Sequence, residues 1–218
     1  MKKITYRGNP FIGLHITASD DLVIVPTDIS DKLYYPITEE LKTNVIRLNV
    51  VDANLNGIYV SMFKDILFLP SIVDDHIKKE LENYVNVYVL DTKFNALGNN
   101  IVFNNKACIV NPNMEKEIVN EIKDVLNVEV FPVYLNNIPT VGSLLRLTSK
   151  GFVTSYKLRD NEFNFIKEIF HVNGARGSVN LGVEYISLGL VANKHGYIVG
   201  ELTTGIEMNN IDDGLGFL

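Results

Sequence analysis

The sequence predicts an α/β protein, a closed five-bladed propeller of pseudo-fivefold repeats whose N-terminal strand completes the last blade. Three observations predict it. A two-residue anchor ending in glycine recurs at Ile12-Gly13, Asn56-Gly57, Leu97-Gly98, Val141-Gly142 and Leu188-Gly189. Periods of this length are the mark of repeat architectures. After each glycine comes the same phrase: a short strand, a polar tip, a second apolar strand and a helix-period segment. The fifth copy then stops without the third strand the others have, while the chain begins with "KKITYR", strand-like and with no helix before it. Filling that gap with the first strand closes a ring. An open solenoid would need a polar cap at each end, and none is evident. The units run approximately over residues 9–52, 53–94, 95–138, 139–184 and 185–218 plus 1–8, in a single domain.

Each element has its own signal. The second strands read "LVIVP", "ILFLP", "ACIVNP", "GFVTSY" and "GYIVG", short runs with few charges that suit strands buried on both faces. Between first and second strands lie "ASDD", "FKD", "NNK", "TSKG" and "NKHG", tips of β-hairpins. Helical spacing follows. Met114, Ile118, Ile122 and Val125 form one stripe, with Asn113 as N-cap. Phe163, Ile166 and Phe170 form another, capped by Asp160, and Ile77, Leu81 and Tyr84 a third. The first copy, "SDKLYYPITEEL", is weaker because Pro36 interrupts it. Third strands are "NVIRLNVV", "VNVYVL", "NVEVFPVYL" and "HVNGARGSV". Replacing Gly98 should damage folding if its turn needs positive φ.

Bulk properties narrow the function. The 218 residues are 46% hydrophobic and 21% charged, ordinary for a soluble globular protein of one domain or two. No apolar run approaches membrane-spanning length, and "MKKITYRGNP" lacks the apolar region of a secretory signal. One cysteine gives no disulfide, so a cytoplasmic location is expected. A net charge of −6 disfavours broad, nonspecific nucleic-acid binding but leaves room for a local basic patch. The tips supply one. Lys64, Lys106, Lys150 and Lys194 occupy four of the five, with Asn104, Asn105, Ser149, Asn193 and His195 beside them, whereas the helical segments sum to negative charge. These tip residues are the candidate binding set. No phosphate loop, dinucleotide fingerprint or metal-ligand spacing occurs, so neither cofactor nor metal is expected. Cys108 falls within an apolar strand, where a thiol is inert. The alternative is a nucleophile paired with a histidine such as His15, as in guanidino-modifying hydrolases and transferases built on five-bladed α/β propellers.

The stretches "ALGN" (96–99), "LNVEV" (126–130), "TVGS" (140–143), "NKHG" (193–196) and "TTG" (203–205), with the five-unit layout, resemble the translation initiation factor 6 family. The resemblance covers the whole chain. It implies a pentein fold and a non-catalytic role. That role is to bind the intersubunit face of the large ribosomal subunit, among ribosomal proteins and near the sarcin–ricin loop of the large rRNA, and to keep the small subunit from joining. It implies roles in initiation and large-subunit biogenesis, a monomer, no membrane, and an archaeal type, since the long eukaryotic C-terminal extension is lacking. Asn99 matches the "ALGN" asparagine implicated in ribosome binding. The second tip departs from the family pattern, "FKD" standing where an "NKHG"-like sequence is expected, and "ELTTG" replaces the family's "GDTTG".

Overall fold

The computed structural model describes residues 2–218; Met1, at the start of the segment 1–8, lies outside the described residues. The chain forms β1 (Lys2–Ile4), a 3-10 turn (Ile12–Leu14), β2 (Thr17–Ala18), β3 (Leu22–Val25), α1 (Asp31–Leu41) and β4 (Asn44–Arg47). The second unit is α2 (Asn56–Tyr59), β5 (Ser61–Phe63), β6 (Ile66–Pro70), α3 (Asp75–Leu81) and β7 (Asn86–Leu90). The third is α4 (Leu97–Asn100), β8 (Ile101–Phe103), β9 (Ala107–Val110), α5 (Lys116–Leu126) and β10 (Glu129–Pro132). The fourth is α6 (Val141–Leu144), β11 (Leu145–Leu147), β12 (Gly151–Ser155), α7 (Asp160–Phe170) and β13 (Asn173–Gly177). The last is α8 (Ile186–Gly189), β14 (Leu190–Ala192), β15 (Tyr197–Gly200) and α9 (Gly205–Leu215).

These strands make five three-stranded mixed sheets. In each, the middle strand pairs antiparallel with the strand before it and parallel with a third. A helix makes the parallel crossover in the first four, as parallel pairing requires. In the fifth sheet the third strand is β1, Lys2 lying opposite Ile198 and Ile4 opposite Gly200. The N-terminal strand thus fills the gap left by the last repeat.

Middle strands are buried on both faces, and their alternation divides the core. Leu22 and Ile24 join Leu67, Leu69, Ile77 and Leu81, while Val23 and Val25 join Ile198, Val191 and Ile37. Phe68 packs with Cys108 and Val110, Ile109 with Phe152 and Ile166, and Val153 with Tyr197 and Val199. Each cluster is shared by two sheets, and one of them joins the fifth sheet to the first.

Several local expectations are corrected. Each hairpin is preceded by one short helical turn, and the anchor glycines lie inside these turns. Gly13, Gly57, Gly98 and Gly142 have no positive φ; that conformation is confined among glycines to Gly8, Gly182 and Gly216. The glycines are needed for close approach instead. A Cβ on Gly13 would strike the Ser187 carbonyl, one on Gly57 the Gly13 carbonyl, one on Gly98 the Gly57 carbonyl and one on Gly142 the Gly98 carbonyl. The fifth anchor is therefore Ser187 rather than Gly189. Its hydroxyl donates to the carbonyls of Gly142 (2.6 Å) and Leu145 (2.8 Å).

Helix starts also shift. Asn113 does not cap α5: its own N–H is held by Asn111 Oδ1 at 2.9 Å, and the cap falls on Glu115. Asp160 is the first residue of α7, with Arg159 at the cap; the Glu162 carboxylate accepts from the Arg159 N–H, and Asp160 takes Arg176 at 2.7 Å. Tyr84 lies beyond the end of α3 and is exposed. Pro36 sits inside an unbroken α1, where burial of Ile37 and Leu41 outweighs the one backbone hydrogen bond that proline removes.

Candidate functional site

The short turns touch glycine to carbonyl at one end of the molecule, and every first strand runs away from them into its hairpin. The tips therefore gather at the other end. Polar contacts tie them together: Ser19 Oγ donates to the Lys64 carbonyl (2.7 Å), and the Lys194 N–H donates to Asp20 Oδ1 (2.7 Å).

Tip shape comes from one repeated position. Six residues after Gly13, Gly98, Gly142 and Ser187 stand Ser19, Asn104, Thr148 and Asn193. In each case the side-chain oxygen accepts N–H bonds from the residues two and three farther on, folding the tip back on itself. Asn104 and Asn193 go further. Their amides donate to carbonyls at the ends of neighbouring helices, Asn104 to Phe170 of α7 (2.9 Å) and Asn193 to Leu41 of α1 (2.8 Å). Both asparagines are buried in consequence. The anchor at Ser187 reveals this six-residue offset; measured from Gly189 it is hidden.

The exposed part of the candidate set is Lys64, Asn105, Lys106, Lys150 and His195, with Ser149 and Lys194 half-buried. Among the described residues none of the four tip lysines is in an ion pair, whereas Lys2, Lys78, Lys93, Lys123 and Lys157 are. Lys64 and Lys150 instead lie over the rings of Phe63 (5.8 Å) and Phe217 (4.8 Å). Asn99 is not with them. It lies in α4, at the opposite end of β8 from Asn104.

Between the two ends, a polar cavity is lined by Thr17, Ser61 and Arg146 on the first strands. The Arg146 Nε donates to the Leu190 carbonyl at 3.2 Å, and burial pushes its guanidinium down to about 10. Cys108 is fully buried in β9, its thiol pushed well up by burial and directed at the Ile109 carbonyl (3.7 Å). His15 contacts the ring of Tyr6 (4.7 Å between centroids) and bonds the Asn54 carbonyl. Among the described residues no group of three or more His, Cys, Asp or Glu is placed to hold a metal, and no helix is long and apolar enough to cross a membrane.

Comparison with known proteins places the chain. Translation initiation factor 6 of Staphylothermus marinus is 36% identical over 98% of this chain and 96% of its own. That of Aeropyrum pernix is 37% identical over 99% and 95%, and that of Picrophilus torridus 31% identical over 99% of both. A solved DDAH from Pseudomonas aeruginosa complexed with citrulline aligns with 94% of this chain and 73% of its own at 13% identity, with a TM-score of 0.43, too low to carry an argument. The eIF-6 family profile matches residues 1–214. The chain belongs to the eIF-6 family, a family of translation factors rather than enzymes.

Proposed function

We propose that this protein binds the intersubunit face of the large ribosomal subunit and blocks premature joining of the small subunit, in initiation and in large-subunit biogenesis. Beyond family membership, the observation that carries the reading is the end of the molecule where Lys64, Lys106, Lys150 and Lys194 stand without carboxylate partners in a chain of net charge −6. Free cations on a fixed frame suit phosphates and acidic side chains, and such complementarity chiefly orients the encounter and speeds it. The partners in this reading are ribosomal proteins of the intersubunit face and the nearby sarcin–ricin loop. The protein acts as a cytoplasmic monomer, without a cofactor.

In the same reading the five sheets close as one propeller domain with unit boundaries near residues 9, 53, 95, 139 and 185. The approach of Gly13 to Ser187 and the core shared by the fifth and first sheets support closure. A rigid ring of this kind blocks an interface by bulk alone. Specific interfaces bury roughly 1,200–2,000 Å². The exposed set Lys64, Asn105, Lys106, Lys150 and His195, with Ser149 and Lys194, makes contact; Asn104 and Asn193 hold the tips in shape. A guanidino-modifying reaction at Cys108 lacks support, because the thiol is buried and His15 is engaged by Tyr6 and Asn54.

Co-sedimentation with purified subunits tests the proposal. Wild-type protein should pellet with large subunits only, less so as salt rises. Changing Lys64, Lys106 and Lys150 together to Glu should abolish pelleting. Full binding by that variant, with loss on Asn99→Ala instead, would move the docking surface to the end that carries the short turns.

A further inference from the structure

The second hairpin tip is the exception among the five, and its exception makes a groove. In the other hairpins four residues separate the last paired positions: Ala18 faces Val23, Phe103 faces Cys108, Leu147 faces Phe152 and Ala192 faces Tyr197. In the second the ladder runs one pair farther over the same number of residues: Phe63 faces Ile66, at the positions where Ser19, Asn104, Thr148 and Asn193 each donate an N–H to the carbonyl three residues on. Phe63 also occupies the position where the other tips have Ser19, Asn104, Thr148 and Asn193.

The missing asparagine matters to the neighbouring helix. Asn193 and Asn104 donate to the last helical carbonyls of α1 and α7, just before left-handed Lys42 and His171. The helix next to the second tip, α5, ends the same way, with Leu126 before left-handed Asn127. Among the described residues no side chain donates to the Leu126 carbonyl. Beside the tip that lacks the asparagine is a groove of about 300 Å³, lined by Phe63, Ile66, Phe103, Leu126 and Val128. Lys64 and Asn105 are on its rim, and Lys106 is next to Asn105. Neither lysine is in an ion pair, while Asp65 is already held by Asn86 Nδ2 at 2.8 Å.

We infer that this groove is an anchor pocket for a protein loop of the large subunit, one that inserts an aliphatic side chain, donates an N–H to the Leu126 carbonyl and sets a carboxylate beside Lys64 and Lys106. The inference rests on the ribosomal reading above. The donor is what the third and fifth tips supply to their own neighbours, and the carboxylate is what the free lysines complement. An inserted nucleobase fits less well. Stacking needs an open aromatic face, but Phe63 and Phe103 are only 7% and 3% exposed and meet edge to face, their centroids 6.2 Å apart.

The test is to fill the groove from within. Replacing Phe63-Lys64-Asp65-Ile66 by the fifth tip's Asn-Lys-His-Gly restores the asparagine, keeps a lysine and leaves the hairpin length unchanged. This variant should still fold cooperatively and bind large subunits about tenfold or more weakly, the loss expected of one buried anchor. Undiminished binding by the variant, with wild type binding normally, would overturn the groove and leave the ribosomal reading standing. Failure of wild type to bind large subunits would overturn both. The photocrosslinker p-benzoylphenylalanine at Asn105 gives a readout independent of the variant's folding. It should join this chain to a ribosomal protein, giving a protease-sensitive adduct; an adduct with rRNA alone would overturn the inference.

Discussion

The two ends of this molecule solve opposite problems. At one end five short turns pack so closely that glycine or serine is required at the centre of each, and a Cβ at Gly57, Gly98 or Gly142 would meet a backbone carbonyl. At the other end five hairpin tips need no common side chain on their outer surface, and they range from the acidic Ser19, Asp20 and Asp21 to the basic Asn193, Lys194 and His195. Packing constrains one end; the other is free to vary, with a polar residue six positions after the anchor holding four of the five tips. The contrast teaches where to look for function: at the end where the fold demands least of the exposed side chains.

Substitutions can break or sharpen that contrast. The largest effect should come from Gly98→Val. The new side chain drives into backbone that cannot move aside, so chemical denaturation should show a loss of about 3 kcal/mol or more. Asn193→Ala comes next. It leaves the Leu41 carbonyl and two tip N–H groups without their partner, and should cost about 1–3 kcal/mol in the same assay. At the opposite extreme the Lys64, Lys106 and Lys150 to Glu variant should stay within about 0.5 kcal/mol of wild type while losing ribosome binding. A large stability loss there would erase the distinction between the two ends.

Acid sensitivity offers a finer comparison. Burial alone would raise the Glu207 carboxyl, but hydrogen bonds from the N–H groups of Thr204 and Gly182 and from Ser178 outweigh it and hold the group below the usual carboxylate range. The folded state therefore binds this proton less readily than the unfolded chain. The stabilisation is present above the unfolded value, about 4.3, and is lost as pH falls through the folded value. Glu207→Gln should flatten the decline of melting temperature below pH ~4. The smallest effect is expected at Cys108: thiol reagents should leave the native protein unlabelled and react only on unfolding, because burial suppresses the thiolate.

Much of this was legible in the chain. The repeated phrase, the apolar second strands and the unpaired strand at residues 2–4 all follow from hydrophobic period and order, which are local properties. The lysines at matched tips were legible for the same reason. What local pattern could not supply was contact between distant residues. Ser187 is recognisable as the fifth anchor only because the Gly13 turn packs against it, 174 positions away in sequence. Asn104 and Asn193 look like any exposed turn asparagines until the ends of α7 and α1 arrive beside them and bury them. Asn99 and Asn104 are five positions apart in the chain, yet they belong to opposite ends because a strand runs straight between them. The groove beside Lys64 is visible in the sequence only as a phenylalanine, Phe63, where the other tips have a polar residue; its meaning depends on the carbonyl of Leu126, brought there by the next unit. The sequence by itself determined the repeat, its strands and the charge of its tips, since these depend on neighbours a few bonds away. Tertiary structure alone decided which of those residues face a partner and which face the chain itself, because burial and hydrogen bonding are set by whichever segments pack alongside.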